Sequence, residues 1–217
     1  MPPLKIEFFH DVVCAWCFVL APRLKLLQAE LNLDIQHRSF ILQASREAMI
    51  ERFGSMPEAK ATILGHWLSC SHAEDTKRID IEGMRRQTFE YPNGLLAGLA
   101  CQAASALGGN AGHENLFDRL QEAHLVHSRN IGDRDTVLAV AAEAGFDPAA
   151  FALALEHQAP ALLEHDLAEG RRLNISSVPS LLIDGRFMIS GALTFEQLRR
   201  TITLARAGRE QATGVAR

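Results

Sequence analysis

Two cysteines stand close together near the start of the chain, Cys14 and Cys17, with Ala15 and Trp16 between them. Two thiols at this spacing can close a small disulfide ring. They can also exchange disulfides with another molecule, when the first thiol attacks and the second displaces what the first has captured. In this interpretation Cys14 is the attacking group and Cys17 is the resolving group.

The segments on either side of the pair predict how the chain positions it. Residues 4–9 alternate between apolar and charged side chains and then become fully apolar, which indicates a buried strand. Leucines at helical spacing follow the pair, over residues 20–31. We therefore expect Cys14 at or just before the first helical residue, as an exposed thiol. The free N–H groups and the positive end of the helix would favour its thiolate there.

The four cysteines of the chain leave two other interpretations open. Cys14 and Cys17 could form half of a zinc site completed by Cys70 and Cys101. That second pair stands far apart on two predicted helices, without the close spacing usual in structural four-cysteine sites. The first pair could also be small buried residues without chemistry, as we expect for Cys70 and Cys101. Four cysteines in 217 residues do not make a disulfide framework, so redox chemistry is favoured.

The composition of the whole chain excludes several classes of protein. Apolar residues make up 47% and charged residues 22% of 217 residues, as in a globular protein with one large domain or a domain with an insertion. The net charge of -4, with both signs mixed, indicates neither nucleic acid nor a membrane as partner. No apolar run approaches a membrane span, and the first residues lack a secretory signal. We therefore expect a cytoplasmic protein.

The remaining patterns predict the order of the elements. Residues 33–40 alternate as a strand, so strand, helix and strand form a parallel βαβ unit. From about residue 42 to 170 only helical patterns follow one another. Residues 180–189 then predict a hairpin closed by Asp184-Gly185, and a capping box at Thr194 opens a last amphipathic helix.

Three motifs in this order resemble the DsbA family of thiol oxidoreductases. They are residues 9–17 (FHDVVCAWC), residues 177–180 (SVPS) and residues 189–192 (ISGA). The resemblance runs from about residue 4 to 207 and is to the cytoplasmic FrnE-like branch. That branch is similar to 2-hydroxychromene-2-carboxylate isomerases and kappa-class glutathione transferases.

The resemblance implies an α/β, thioredoxin-like fold with a large all-helical insertion. Residues 1–41 and 171–207 would form a discontinuous thioredoxin-like domain, and residues 42–170 a helical subdomain that covers one side of the active helix. The tail, residues 208–217, is predicted to be frayed.

The resemblance also implies a substrate-binding set around Cys14. In this family the residue at the position of Pro179 is a cis-proline that faces the cysteines. The backbone of Val178 would then pair with an extended substrate, as an added strand does. Ala15 and Trp16 complete the predicted set.

Residues before the cysteines are candidates for tuning the thiols. A protonated His10 would favour the Cys14 thiolate, whereas the alternative is a histidine at a strand end that contacts solvent or a carbonyl. Asp11 is expected to cap the turn or the helix start. Relatives carry a buried acid where Phe8 stands, so its proton-handling role is missing or supplied elsewhere, with Glu7 as a candidate.

Together these observations predict a thiol–disulfide oxidoreductase acting on protein or low-molecular-weight disulfides. No cofactor is required, and glutathione is a candidate redox partner. No metal site is predicted, since His124 and His127 stand one turn apart without a third ligand. The alternative is a glutathione-dependent isomerase or transferase acting on a small aromatic or polyketide-like molecule. Such relatives typically have Ser where Cys14 stands. A third class is a non-catalytic redox-sensing or chaperone-like module.

Overall fold

The sheet has the predicted strands in an α/β arrangement. The computed structural model describes residues 2–214, with side chains described for residues 2–209. Its strands are β1 (Leu4–His10), β2 (Leu33–Ser39), β3 (Ser180–Ile183) and β4 (Phe187–Ser190). They form one sheet in the order β2-β1-β3-β4. β1 pairs with β2 in parallel, as predicted for the βαβ unit, whereas β3 runs antiparallel to both β1 and β4.

Helices fill the rest of the described chain. They are α1 (Ala15–Leu31), α2 (Arg46–Phe53), α3 (Met56–Ala73), α4 (Ile81–Arg86), α5 (Leu95–Leu125), α6 (Arg134–Glu143), α7 (Pro148–His157), α8 (Ala159–Arg172) and α9 (Phe195–Gly214). From α2 to α8, between β2 and β3, no strand is described, as the patterns predicted. No helix among the described residues is long and apolar enough to cross a membrane.

Two helices, α5 and α9, extend further along the chain than the sequence predicts. The sequence Gly108-Gly109-Asn110 predicts a helix end, but α5 continues past it with a kink at Gly109, which adopts a positive φ of 62° where two helical segments meet. The last helix continues to Gly214, beyond the predicted end at residue 207. Residues 215–217 of the predicted frayed tail lie outside the described residues.

The central strand of the sheet carries the core. Leu4, Ile6, Phe8 and Phe9 of β1 are all fully buried, because helices cover both faces of the sheet there. Burying each such side chain contributes about 1.5–3 kcal/mol relative to leaving it in water. The end of this strand, where the cysteine pair follows, is therefore anchored on both faces.

Polar contacts join the helices between β2 and β3 to the edge strand β2. At the kink of α5, the Asn110 side chain donates to the Ile35 carbonyl (2.8 Å) and accepts from the His37 N–H (2.7 Å). The amide thus pairs with β2 as a neighbouring strand would, which covers an otherwise open sheet edge.

A buried ion network lies beside this edge. Arg38 of β2 contacts Glu7 of β1 (3.1 Å) and Asp166 of α8 (3.0 Å). The other oxygen of Asp166 accepts from the Ser39 N–H (2.9 Å) and from the Gln102 amide (2.6 Å). One buried carboxylate therefore joins β2 to α5 and α8, and through Arg38 it reaches β1.

Replacing Asp166 with Ala should destabilise the fold strongly, because Arg38 and the Ser39 N–H would lose their buried partner. We expect a loss of about 3 kcal/mol in the free energy of unfolding, measured by urea titration. Glu164→Ala on the same helix removes an exposed pair with Arg171 and should cost less than about 0.5 kcal/mol. Equal losses in the two variants would contradict a structural role for the network.

Candidate active site

The attacking cysteine lies at the position that its sequence context predicted. Cys14 is the N-cap of α1, just before the first helical residue. The Cys17 N–H donates both to the Cys14 carbonyl (3.0 Å) and to the Cys14 Sγ (3.3 Å). The Cys14 thiol in turn donates to the Val178 carbonyl at 3.6 Å. An N–H of the first helical turn is therefore directed at the sulfur, where it stabilises negative charge.

The expectation of an exposed thiol is wrong. Cys14 keeps only 7% of its surface exposed, and Cys17 is fully buried. Both are free thiols in this structure. The physical reason is tertiary, because the loop that carries Val178 and Pro179 packs over the cysteine pair. The peptide bond between Val178 and Pro179 is cis.

Of the four predicted substrate-binding residues, two are partly exposed and two are buried. Trp16 and Val178 are partly exposed, whereas Ala15 and Pro179 are buried. A molecule that reaches the Cys14 sulfur would therefore touch Trp16 and Val178 first.

Two residues of the helical region hold the loop before α1. Gln121 of α5 donates to the carbonyls of Val12 (3.2 Å) and Cys14 (3.1 Å). Tyr91 donates to the intervening Val13 carbonyl (3.4 Å). Three successive carbonyls are thus held by side chains distant in sequence. Sequence reasoning missed both residues, since neither lies in a recognisable motif.

His124, one of the two histidines that stand one turn apart in the sequence, contacts Tyr91 in the interior. His124 is buried, and its Nε2 lies 3.0 Å from the Tyr91 hydroxyl. Burial lowers the pKa of His124 to about 4. Among the described residues, no group of three or more His, Cys, Asp or Glu side chains is arranged to hold a metal ion. The four-cysteine zinc interpretation therefore has no geometric support.

Asp11 caps the turn before the helix, as expected, and is almost completely buried. Its carboxylate accepts from the Val13 N–H (3.2 Å) and from the Leu42 N–H (2.7 Å). A Cβ atom at Gly94 would lie 2.4 Å from one of its oxygens, so the carboxylate fits only against a glycine. Burial raises the pKa of Asp11 from 3.8 to about 6, although the backbone N–H groups oppose this shift.

Cys17, the resolving thiol, is buried with Cys14 and within the electrostatic influence of Asp11. Burial raises the pKa of Cys17 well above its ordinary value, and the hydrogen bond and charge of Cys14 raise it further. The backbone of Asp11 lowers the pKa of Cys17, and the negative charge of its buried carboxylate raises it. Glu7, the candidate from the sequence, is instead paired with Arg38 and does not shift the pKa of Cys17.

The predicted role of His10 as a positive charge beside the thiols is wrong. Its Nε2 lies 3.1 Å from His37 Nδ1, and its ring centroid is 5.2 Å from that of His113 and 3.8 Å from that of Phe117. Burial lowers the pKa of His10 well below its ordinary value, and the two other histidines add to the shift. His10 is therefore neutral near pH 7. β1 is still a regular strand at His10, so the alternation of side chains along the strand directs this ring towards His113 and Phe117 of α5.

We call His10, His37 and His113 the histidine cluster. Burial lowers the pKa of His113 well below 6.5 and that of His37 to about 4. The unfolded chain binds protons at these residues below pH 6.5 and the folded chain does not. The cluster therefore makes the fold less stable as the pH falls from 6.5 towards 4.

Replacing His113 with Leu should make the fold less sensitive to acid. Each such histidine adds about 1.4 kcal/mol per pH unit to the slope of the unfolding free energy, and the variant should lose that amount between about pH 6 and 5. The measurement is urea unfolding at a series of pH values. His157→Leu, at an exposed position, should keep the wild-type slope. Parallel curves for wild type and H113L would contradict the assignment.

Comparison with known proteins supplies the family. The model of the DSBA-like thioredoxin domain matches residues 5–203. Among curated proteins, the ClpXP adapter protein SpxH of Shouchella clausii (strain KSM-K16) is 27% identical over 184 residues, which are 83% of this chain and 57% of that protein. The chain thus spans little more than half the length of this relative.

Solved structures share the fold at low sequence identity. The cytosolic disulfide reductase DsbM from Pseudomonas aeruginosa superposes with a TM-score of 0.69 and 21% identity, covering 98% of this chain and 100% of that one. Another structure of DsbM contains glutathione. A 2-hydroxychromene-2-carboxylate isomerase superposes with a TM-score of 0.65 and 15% identity, covering 96% and 98%. The predicted thioredoxin-like fold is confirmed, and since the family model spans most of its length, the chain belongs to the DSBA-like thioredoxin domain family.

Proposed function

We propose that this chain is a thiol–disulfide oxidoreductase that uses the Cys14–Cys17 dithiol on protein or low-molecular-weight disulfides. The supporting observation is the Cys14 sulfur at the start of α1, which accepts the Cys17 N–H and contacts the Val178 carbonyl. The second thiol stands one helical turn behind it. We further propose a cytoplasmic member of the FrnE-like branch, from the motif resemblance and because the cytosolic reductase DsbM shares the fold.

The proposed exchange proceeds in two steps and needs neither metal nor cofactor. The Cys14 thiolate attacks one sulfur of the substrate disulfide, forms a mixed disulfide and releases the other half as a thiolate. The Cys17 sulfur then attacks the Cys14 sulfur, which closes the Cys14–Cys17 disulfide and releases the second half. Two electrons pass from the dithiol to the substrate. Two molecules of a small thiol then reduce the enzyme disulfide: the first forms a mixed disulfide with Cys14, and the second attacks it, which restores both enzyme thiols and releases the oxidised small-molecule disulfide. We propose glutathione for this partner.

The second step requires removal of the Cys17 proton. The high pKa of the Cys17 thiol keeps it protonated near pH 7. The Asp11 carboxylate, whose charge acts on Cys17, is buried and, with a pKa of about 6, mostly ionised at that pH. We therefore assign Asp11 as the group that accepts the Cys17 proton, in place of the acid that relatives carry at Phe8.

A glutathione-dependent isomerase or transferase is the second candidate, because a 2-hydroxychromene-2-carboxylate isomerase shares the fold. Such an enzyme would bind glutathione and a small aromatic or polyketide-like molecule without consuming the dithiol. The second thiol, one helical turn behind Cys14, favours the oxidoreductase, because such an isomerase does not need it.

Serine replacements should separate the two candidates. Cys14→Ser should lower the rate of insulin or glutathione disulfide reduction at least about a thousandfold, because it removes the nucleophile. Cys17→Ser should form the mixed disulfide and then stall, which mass spectrometry can show. An isomerase would instead keep its activity in Cys17→Ser. Cys101→Ala removes a buried thiol of α5 that takes no part in the proposed exchange, so it serves as the control and should retain wild-type turnover.

Replacing Asp11 with Asn should slow the resolving step. In wild type the rate of Cys17 attack should rise as the pH passes about 6, since Asp11 becomes able to accept a proton. The variant should lack this rise and be slower by about a hundredfold, as is typical when a general base is lost. Rapid mixing can follow thiol release from a preformed mixed disulfide at pH 5 to about 8. An unchanged pH profile would remove the assignment.

A further inference from the structure

One backbone N–H of the reactive turn is shared between two acceptors. The Cys17 N–H donates to the Cys14 carbonyl (3.0 Å) and to the Cys14 Sγ (3.3 Å). The same carbonyl also accepts from the Phe18 N–H at 3.3 Å, as the N-cap carbonyl of a helix does. The carbonyl and the sulfur of Cys14 therefore compete for the N–H of Cys17.

A second contact of the sulfur favours the opposite protonation state. The Cys14 thiol donates to the Val178 carbonyl (3.6 Å), and a thiolate has no proton to donate. A hydrogen bond accepted by the charged form of a group favours that form, whereas one made by the neutral form disfavours it. The Cys17 N–H thus favours the thiolate, and the Val178 carbonyl favours the thiol. Since His10 is neutral near pH 7 and adds no positive charge, the approach of the Cys17 N–H to the sulfur bears directly on how much thiolate is present.

Gln121 of α5 supplies the Cys14 carbonyl with a donor from outside the turn. Its Nε2 donates to this carbonyl (3.1 Å) and to the Val12 carbonyl (3.2 Å). A carbonyl oxygen has two lone pairs, so the Gln121, Cys17 and Phe18 donors crowd the Cys14 oxygen. Of these donors, the Cys17 N–H has the sulfur as its other acceptor. The amide of Gln121 therefore leaves more of this N–H to the sulfur.

The surrounding structure fixes the Gln121 amide in this orientation. Gln121 keeps only 1% of its surface exposed. Both N–H groups of its amide are used by carbonyls two residues apart, which determines the way the amide faces. Tyr91 binds the Val13 carbonyl between them, and its hydroxyl also lies 3.0 Å from His124 Nε2. The turn therefore cannot shift without breaking buried hydrogen bonds to the helical region.

We infer that Gln121 is a positioning residue for the proposed exchange: by donating to the Cys14 carbonyl, it leaves the Cys17 N–H to stabilise the Cys14 thiolate. This inference rests on the proposed function, in which that thiolate is the nucleophile. The hydrogen bonds of Gln121 reach backbone carbonyls, so it acts through the Cys17 N–H and not on the sulfur itself. Its role differs from support of the fold, because it concerns the charge state of one sulfur.

Replacing Gln121 with Met keeps the length of the side chain and removes both donors. The Cys14 carbonyl should then draw the Cys17 N–H away from the sulfur, so that less thiolate is present near neutral pH. We expect the rate of Cys14 alkylation by iodoacetamide at about pH 6, relative to that at about pH 9, to fall about tenfold, as is typical when a hydrogen bond to a charged group is lost. Mass spectrometry of the peptide that contains Cys14, taken from the reduced protein, measures the rate at this thiol alone.

Gln102→Met provides the matched control. Gln102 is another buried glutamine of α5, and its amide donates to Ser39 (3.0 Å) and Asp166 (2.6 Å) instead of to the reactive turn. This variant should keep the wild-type alkylation ratio even where urea unfolding shows that it is as destabilised as Gln121→Met.

The outcomes separate the inference from the proposed function. If folded Gln121→Met keeps the wild-type ratio, or if Gln102→Met lowers it equally, the inference is overturned while the proposed function stands. If Gln121→Met does not fold, Gln121→Glu decides in the same way, since a carboxyl group donates at most one of the two hydrogen bonds. If Cys14→Ser retains disulfide reduction, the proposed function fails. Alkylation needs no disulfide substrate, so that failure is seen separately.

Discussion

The first turn of α1 begins where one backbone N–H faces a sulfur. The Cys17 N–H is shared between the carbonyl and the Sγ of Cys14, so the hydrogen bond that starts the helix also stabilises charge on the thiol. A helix that began one residue earlier or later would direct this group elsewhere. The chemistry therefore depends on the place where a strand ends and a helix begins, and the surrounding structure holds that place.

Contacts from distant parts of the chain keep the turn in position. Gln121 and Tyr91 bind three successive carbonyls before and at Cys14. The Asp11 carboxylate joins the same turn to the loop after β2, through the Leu42 N–H. The helical region is thus a support for the reactive loop as well as a cover over the sheet. Its own attachment, through Asn110 and Asp166, is made of buried polar contacts.

His10 and Asp11, at and just after the end of β1, differ in charge near pH 7: the histidine is neutral and the carboxylate is mostly ionised. His10 points into the helical layer and stays neutral, because burial among other histidines disfavours its charge. Asp11 follows the strand and accepts from the Val13 and Leu42 N–H groups, which partly offset its burial. One step along the chain changes which side of the sheet a side chain faces. Hence His10 is uncharged, which does not fit the alternative of a protonated histidine, and the neighbouring residue whose charge acts on Cys17 is the carboxylate of Asp11.

Local patterns in the sequence determined β1, α1, β2, the hairpin and the position of Cys14 at the helix start, since periodicity and capping depend on residues close in the chain. Resemblance of three motifs was enough for the family. Tertiary structure alone decided that Cys14 is nearly buried, that Glu7 is paired with Arg38 while the charge of Asp11 acts on Cys17, and that Gln121 and Tyr91 bind the carbonyls around Cys14. These properties depend on contacts between segments far apart in the chain, for which no local periodicity exists.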